Sequence, residues 1–193
     1  MRVLLTSAPE VGHIVPLLGV GQALCRAGHD VVLATHPSRH HLVTGVGMAA
    51  VAAGMSSEDR DGERRRRWPD SDHQPATAWG VRMFTHVLAP SMLVDLRVIL
   101  DRWHADLVVH EEGEYAGPVA AATAGIPWVT HGWGSPLRPE DELRSLEVDA
   151  APLWAHAGLD MPPRAGLYAH GLIDPCPPLL TPILASGSRS HRN

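Results

Sequence analysis

Short, β-prone apolar runs alternating with helix-length segments restrict this chain to very few architectures. "RVLLTS", Arg2 to Ser7, has the composition of a central parallel strand buried on both faces. Ile14 to Ala27 carries Val15, Leu18, Ala23 and Leu24 at mostly helical spacing, and Gly28 supplies a C-terminal stop. "HDVVLAT" predicts a second strand, "RHHLVTGVG" a second helix ended by glycine, and "MAAVAAG" a short third strand. Strands that alternate with helices pair in parallel through right-handed crossovers.

Ser56 to Thr77 interrupts this alternation with a polar, charged and turn-rich excursion, expected to be mobile or partly helical. An excursion of such length inside a compact domain is usually functional or disordered. Ala78 to Trp103 then predicts a long helix, kinked near Pro90. "ADLVVHE" reads as a strand, "YAGPVAAATAG" as a helix ended by Gly125, and "IPWVTHGWG" as a further strand. Pro136 to Arg144 reads as a loop and Glu142 to Ala157 as a helix. The tail from Met161 holds six prolines and cannot be a regular helix. The expected fold is α/β, a Rossmann-like open parallel sheet with helices on both faces. It occupies residues 1–175, with a variable loop at 56–77 and a linker at 176–193.

Composition narrows the class of partner. With 45% apolar residues the chain is globular, and a net charge of −5 gives no reason to expect nucleic acid. The longest uninterrupted apolar runs fall short of the ~20 residues of a membrane span, and no signal-peptide pattern opens the chain. Cys25 and Cys176 form no paired framework, so both are expected as free thiols. A cytoplasmic protein without membrane contact is the expectation. "GVGQAL" lacks the third glycine of a dinucleotide fingerprint, and there is no lysine for a phosphate loop. His36, His40 and His41 have no acidic or cysteine partner in their segment, so they read as surface residues. Arg64 to Arg67 reads as a solvated face. No metal site and no cofactor are expected.

One residue stands out chemically. In "SAPEVGHIVP" His13 falls between the first strand and the first helix, at the carboxyl edge where open α/β sheets bind ligands. A ring at a helix N-terminus is placed either to cap the helix or to accept a proton. Gly12 beside it leaves room for a ligand against the backbone.

The opening "MRVLLTSAPEVGHIVPLLGVGQALCRAGHDVVLAT" resembles that of family 1 glycosyltransferases of the GT-B fold, especially bacterial enzymes that decorate antibiotics and other natural products. "DLVVHEEGEYAGPVAAATAGIPWVTHGWG" is similar to a second segment of that family, and "DPCPPLL" to the segment closing its N-terminal domain. The resemblance implies that His13 is the general base for an acceptor hydroxyl, in a reaction that inverts the sugar's configuration. It implies that an acidic residue orients this base: Glu111 aligns best, with its neighbour Glu112 left open. Many relatives carry aspartate there, one methylene shorter. Trp79, Met83 and Phe84 read as core by default, but the resemblance implies that their helix walls the cleft for an aglycone acceptor, so that some of them face it. His131 and Trp133, following a strand end, are expected to line the same cleft as Gly12. A GT-B enzyme holds its NDP-sugar mostly in a second, C-terminal half. This sequence has no such segment, so it is expected to be the acceptor-binding half, incomplete alone. A non-catalytic domain that pairs with and stabilises a complete transferase is the rival expectation.

Overall fold

The computed structural model describes residues 1–73, 79–134 and 138–175. Six strands, β1 (Arg2–Thr6), β2 (Asp30–Thr35), β3 (Ala49–Ala52), β4 (Leu107–Glu111), β5 (Trp128–His131) and β6 (Leu172–Ile173), form one sheet in the order β3-β2-β1-β4-β5-β6. All pairings are parallel. β1 is flanked by β2 on one side and β4 on the other, so Thr6 lies opposite both Ala34 and His110. The winding therefore reverses between β1 and β4. Their carboxyl ends form a topological switch point, where such sheets place their ligands.

Alternate strand residues build two separate cores, because successive side chains point to opposite faces. Val3, Leu5, Val31, Leu33 and Val109 pack with Ile14 and Leu17 of α1 (Val11–Arg26) and Val43 of α2 (His40–Thr44). Leu4, Ala34 and Val108 pack on the other face, with α5 (Ala89–Trp103), α6 (Ala116–Ala124) and α7 (Glu140–His156). Helices thus cover both faces, as the buried, non-alternating strands require.

Helix boundaries carry most of the differences from expectation. α1 begins at Val11, three residues earlier than the apolar spacing suggests, so His13 lies inside its first turn. Pro16 within α1 has no N–H to give the Gly12 carbonyl. Gly28, at φ +82°, provides the left-handed turn after the helix. α7 begins at Glu140 rather than Glu142, with Pro139 as its N-cap residue and Glu140, Asp141 and Glu142 all in its first turn. Acidic side chains there favour the helix dipole. The two-residue β6 was not anticipated, because so short a strand carries no alternation to read.

The excursion expected at 56–77 is largely ordered secondary structure. α3 (Ser57–Arg67) starts where Ser56 accepts the Asp59 N–H at 3.0 Å, and a 3-10 turn follows over Pro69–His73. Glu58 and Asp59 at its start and four arginines at its end match the helix dipole. Residues 74–77 lie outside the described residues, as do Cys176 and the whole linker 176–193. Cys25 is an exposed free thiol.

The long helix differs in the place of its irregularity. α4 (Gly80–Met83) passes through a π turn, Phe84–Leu88, into α5, where the Ala89 N–H reaches back to the Phe84 carbonyl. Pro90 sits in the first turn of α5 and cannot donate to His86 four residues before it. Arg67 Nη1 of α3 binds that free His86 carbonyl instead, at 2.8 Å. A proline kink is thereby replaced by a widened turn with an external donor. Gly80–Trp103 is long and apolar enough by composition to cross a membrane, an 18-residue window within it having a mean hydropathy of 1.5, which the reading of uninterrupted runs did not anticipate. Half of that window is buried inside the protein, as in the core helix of a globular domain.

Candidate active site

His13 and Glu111 meet at the switch point. β4 ends on Glu111 and the loop after β1 delivers α1, so adjacent strands bring together residues 98 positions apart. His13 Nδ1 lies 2.9 Å from Glu111 Oε1. The carboxylate is 0% exposed and the imidazole side chain 17% exposed. Oε1 also receives the Ala8 N–H at 3.3 Å, while Oε2 receives the Gly113 N–H at 2.6 Å and the Trp133 Nε1–H at 3.0 Å. Three of the four groups around Glu111 can only donate, which is the setting of an ionised carboxylate. His13 Nδ1 is then the fourth donor, so that whenever the ring is neutral Nε2 carries the lone pair.

Two aromatic rings hold the imidazole. Phe84, the first residue of the π turn, stacks on it with centroids 5.2 Å apart, and Trp133 lies tilted at 4.6 Å. Gly113 permits this approach: a Cβ there would stand 2.7 Å from Trp133 Cζ2 and 3.0 Å from His13 Cε1.

Glu112 turns elsewhere. It accepts the Tyr168 hydroxyl at 2.6 Å and lies 3.4 Å from Arg138 Nε, so of the two candidates only Glu111 touches His13. Burial, with the hydrogen bond to Glu112, raises the Tyr168 pKa. Glu114 receives the Thr6 hydroxyl at 2.5 Å and the N–H groups of Ala116 and Gly117 at the start of α6. Its complete burial raises its carboxyl to about 7. His110 braces the same turn from within: Nδ1 donates to the Glu114 carbonyl at 2.8 Å, and Nε2 accepts from Thr130 Oγ1 at 2.8 Å. Burial drives the His110 ring down to about 4, so it is neutral and suited to both contacts.

The remaining expected wall residues are distributed in layers. Trp79, Met83 and Phe84 pack with Ala8 and Leu88 in a small cluster beneath the dyad. Met83 is buried, and Trp79 carries the Arg64 guanidinium 4.7 Å above its ring. Gly12 faces open space. His131, at the end of β5, is buried, its Nδ1 has no hydrogen-bond partner among the described residues, and burial lowers its pKa. Reading the sequence missed Gly113 and His110 altogether, and placed Trp133 on the cleft wall without its bond to Glu111. "EEGEYAG" does show a glycine two residues after Glu111, but nothing in it announces the close approach. Among the described residues, no three His, Cys, Asp or Glu side chains converge as a metal site requires.

Residues 22–187 match the family model of N-terminal domains like that of erythromycin biosynthesis protein CIII. The chain belongs to that family. Glu111 lies within the matched segment and His13 just before it. This EryCIII-like domain is 38% identical over 188 residues to the L-demethylnoviosyl transferase of Streptomyces niveus, covering 94% of this chain and 46% of that one. The SsfS6 glycosyltransferase of Streptomyces sp. SF2575 superposes with a TM-score of 0.71 at 28% identity, over 94% of this chain and 52% of that one. A structure of SsfS6 complexed with thymidine diphosphate gives 0.69 at 26% identity. The chain spans about half the length of these relatives. Its fold is the N-terminal half of a GT-B glycosyltransferase of the antibiotic type, as the sequence resemblance implied.

Proposed function

We propose that this EryCIII-like domain binds a natural-product aglycone and supplies the base for its glycosylation. The observation that carries the reading is the 2.9 Å contact between His13 Nδ1 and a fully buried Glu111 at the sheet's switch point. Nε2 of His13 takes the proton of the acceptor hydroxyl as that oxygen attacks the anomeric carbon and displaces the nucleotide. Attack opposite the leaving group inverts the configuration. Glu111 holds the ring in the working tautomer and stabilises its protonated form, as in other base–orienter pairs. Trp133 and Phe84 restrict the ring to one plane and offer apolar surface to an aglycone. Trp79 and Met83 support Phe84 from below. The NDP-sugar is held by a C-terminal half of the kind found in the relatives, for which the thymidine diphosphate complex of SsfS6 is the supporting case.

The test is a chimera joining this chain to the C-terminal half of the S. niveus transferase, assayed for sugar transfer from a dTDP-sugar. His13→Ala should lower turnover by roughly 10²–10⁴, the usual loss for a general base, with the acceptor's KM changed little. Near-normal turnover without His13 would reject the base and favour a stabilising, non-catalytic domain.

A further inference from the structure

A second cleft, of about 370 Å³, opens between the π turn and α5 on one side and α7 on the other. It shares no lining residue with the narrow cavity beside the dyad, which runs from Ser7 to Tyr115. The two are separated by a single step of the chain: Phe84 faces His13, whereas Thr85 and His86 line the second cleft. Pro90, Leu93, Val94, Pro152 and Leu153 give it apolar walls. A pocket of this size and lining is typical for small ligands.

Its charges are unevenly matched. Asp149 is already shared by His86 Nε2 at 3.2 Å and Arg82 Nε at 3.8 Å. Arg97 lines the same cleft, and among the described residues its buried Nε has no hydrogen-bond partner and the side chain makes no ion pair. A buried N–H with no acceptor costs free energy, and a guanidinium's planar fork suits a carboxylate or sulfonate. Asp149 in the same cleft penalises a second negative charge. Apolar walls disfavour a small hydrated anion.

We propose that this cleft is a binding site for a small amphipathic monoanion, an apolar or aryl body whose single carboxylate or sulfonate pairs with Arg97. The site is independent of the transfer reaction proposed above and stands or falls separately from it.

Two fluorescent probes that differ in their anionic group test the assignment: 8-anilinonaphthalene-1-sulfonate and the uncharged N-phenyl-1-naphthylamine. Both are titrated into the folded chain, with near-ultraviolet circular dichroism verifying native packing in every variant. The sulfonate should bind saturably, one per chain. Arg97→Gln should weaken it about tenfold, as loss of a charge-assisted hydrogen bond does, with the neutral probe unaffected. Val94 is 64% exposed at the cleft, so Val94→Trp should fill the space without disturbing the core and abolish binding of both probes. Unaltered sulfonate affinity in Arg97→Gln, equal weakening of both probes, or full binding in Val94→Trp would each overturn the proposal.

Discussion

In the turn after β4, three carboxylates within four residues are all buried, and each has its own partners: His13 for Glu111, Tyr168 for Glu112, Thr6 for Glu114. On α3 the charge is as dense and Arg64 is buried against Asp72, but Arg65, Arg66 and Arg67 lie at the surface and pair with half-exposed Asp72 and with Glu63. Buried charges need specific donors or they do not stay buried, so every position in the turn is tied to one geometry. Exposed pairs exchange partners and are screened by salt at little cost. Charge of similar density therefore positions atoms in one region and mainly solvates and tethers a helix in the other.

That contrast breaks most readily at Glu111. Glu111→Ala leaves the N–H groups of Ala8, Gly113 and Trp133 without their acceptor. A loss of about 3 kcal/mol in unfolding free energy is expected by urea denaturation, from orphaned donors at ~1–3 kcal/mol each with partial relief by water. A loss below about 0.5 kcal/mol would mean the turn is held as loosely as α3.

Glu114 sharpens the comparison through pH. Its native carboxyl, near 7, keeps a proton that the unfolded chain releases from about 4.5 upward. The native state therefore binds more protons between those values, and its stability falls as pH rises through that window. His110 works in the opposite direction, because its native pKa near 4 lies below the ordinary 6.5. It is common to wild type and variant and cancels in their difference. Wild type should lose stability relative to Glu114→Gln, on the order of 1–3 kcal/mol, between pH 5 and pH 8. A constant difference would contradict the assigned burial.

The smallest effect is expected on α3. Glu63→Gln removes the partner of Arg66 and Arg67, yet should shift stability by less than about 0.5 kcal/mol, and by less still at 1 M salt. A larger shift would show that α3 is held by specific charge pairing after all.

The same contrast explains what the sequence could reveal. β1, β2, β4 and β5 were legible because apolar runs bounded by turns have few other uses, and Gly28 and Gly125 marked helix ends. α3 was obscured by its charges: a helix without an apolar face gives no periodic signal, and only its Ser56 cap and acid-to-base order disclose it. The π turn was missed because Pro90 suggested a kink, while the donor that relieves it, Arg67, is remote in sequence. At the candidate site, His13 was legible as a residue at a strand end, and Glu111 only through the family resemblance, with Glu112 open beside it. Their bracing was not, because Trp133 and Thr130 reach the turn from β5 and the loop after it. Contacts made across strands leave no local pattern.

The central claim is that Glu111 fixes the tautomer of His13. Nitrogen-15 NMR of the His13 ring in the folded chain, at a pH where the ring is neutral, reads this directly. The account predicts a proton on Nδ1 and a bare Nε2, an arrangement lost in Glu111→Ala and kept in Glu112→Ala. A proton on Nε2, or a His13 spectrum indifferent to Glu111, would contradict it.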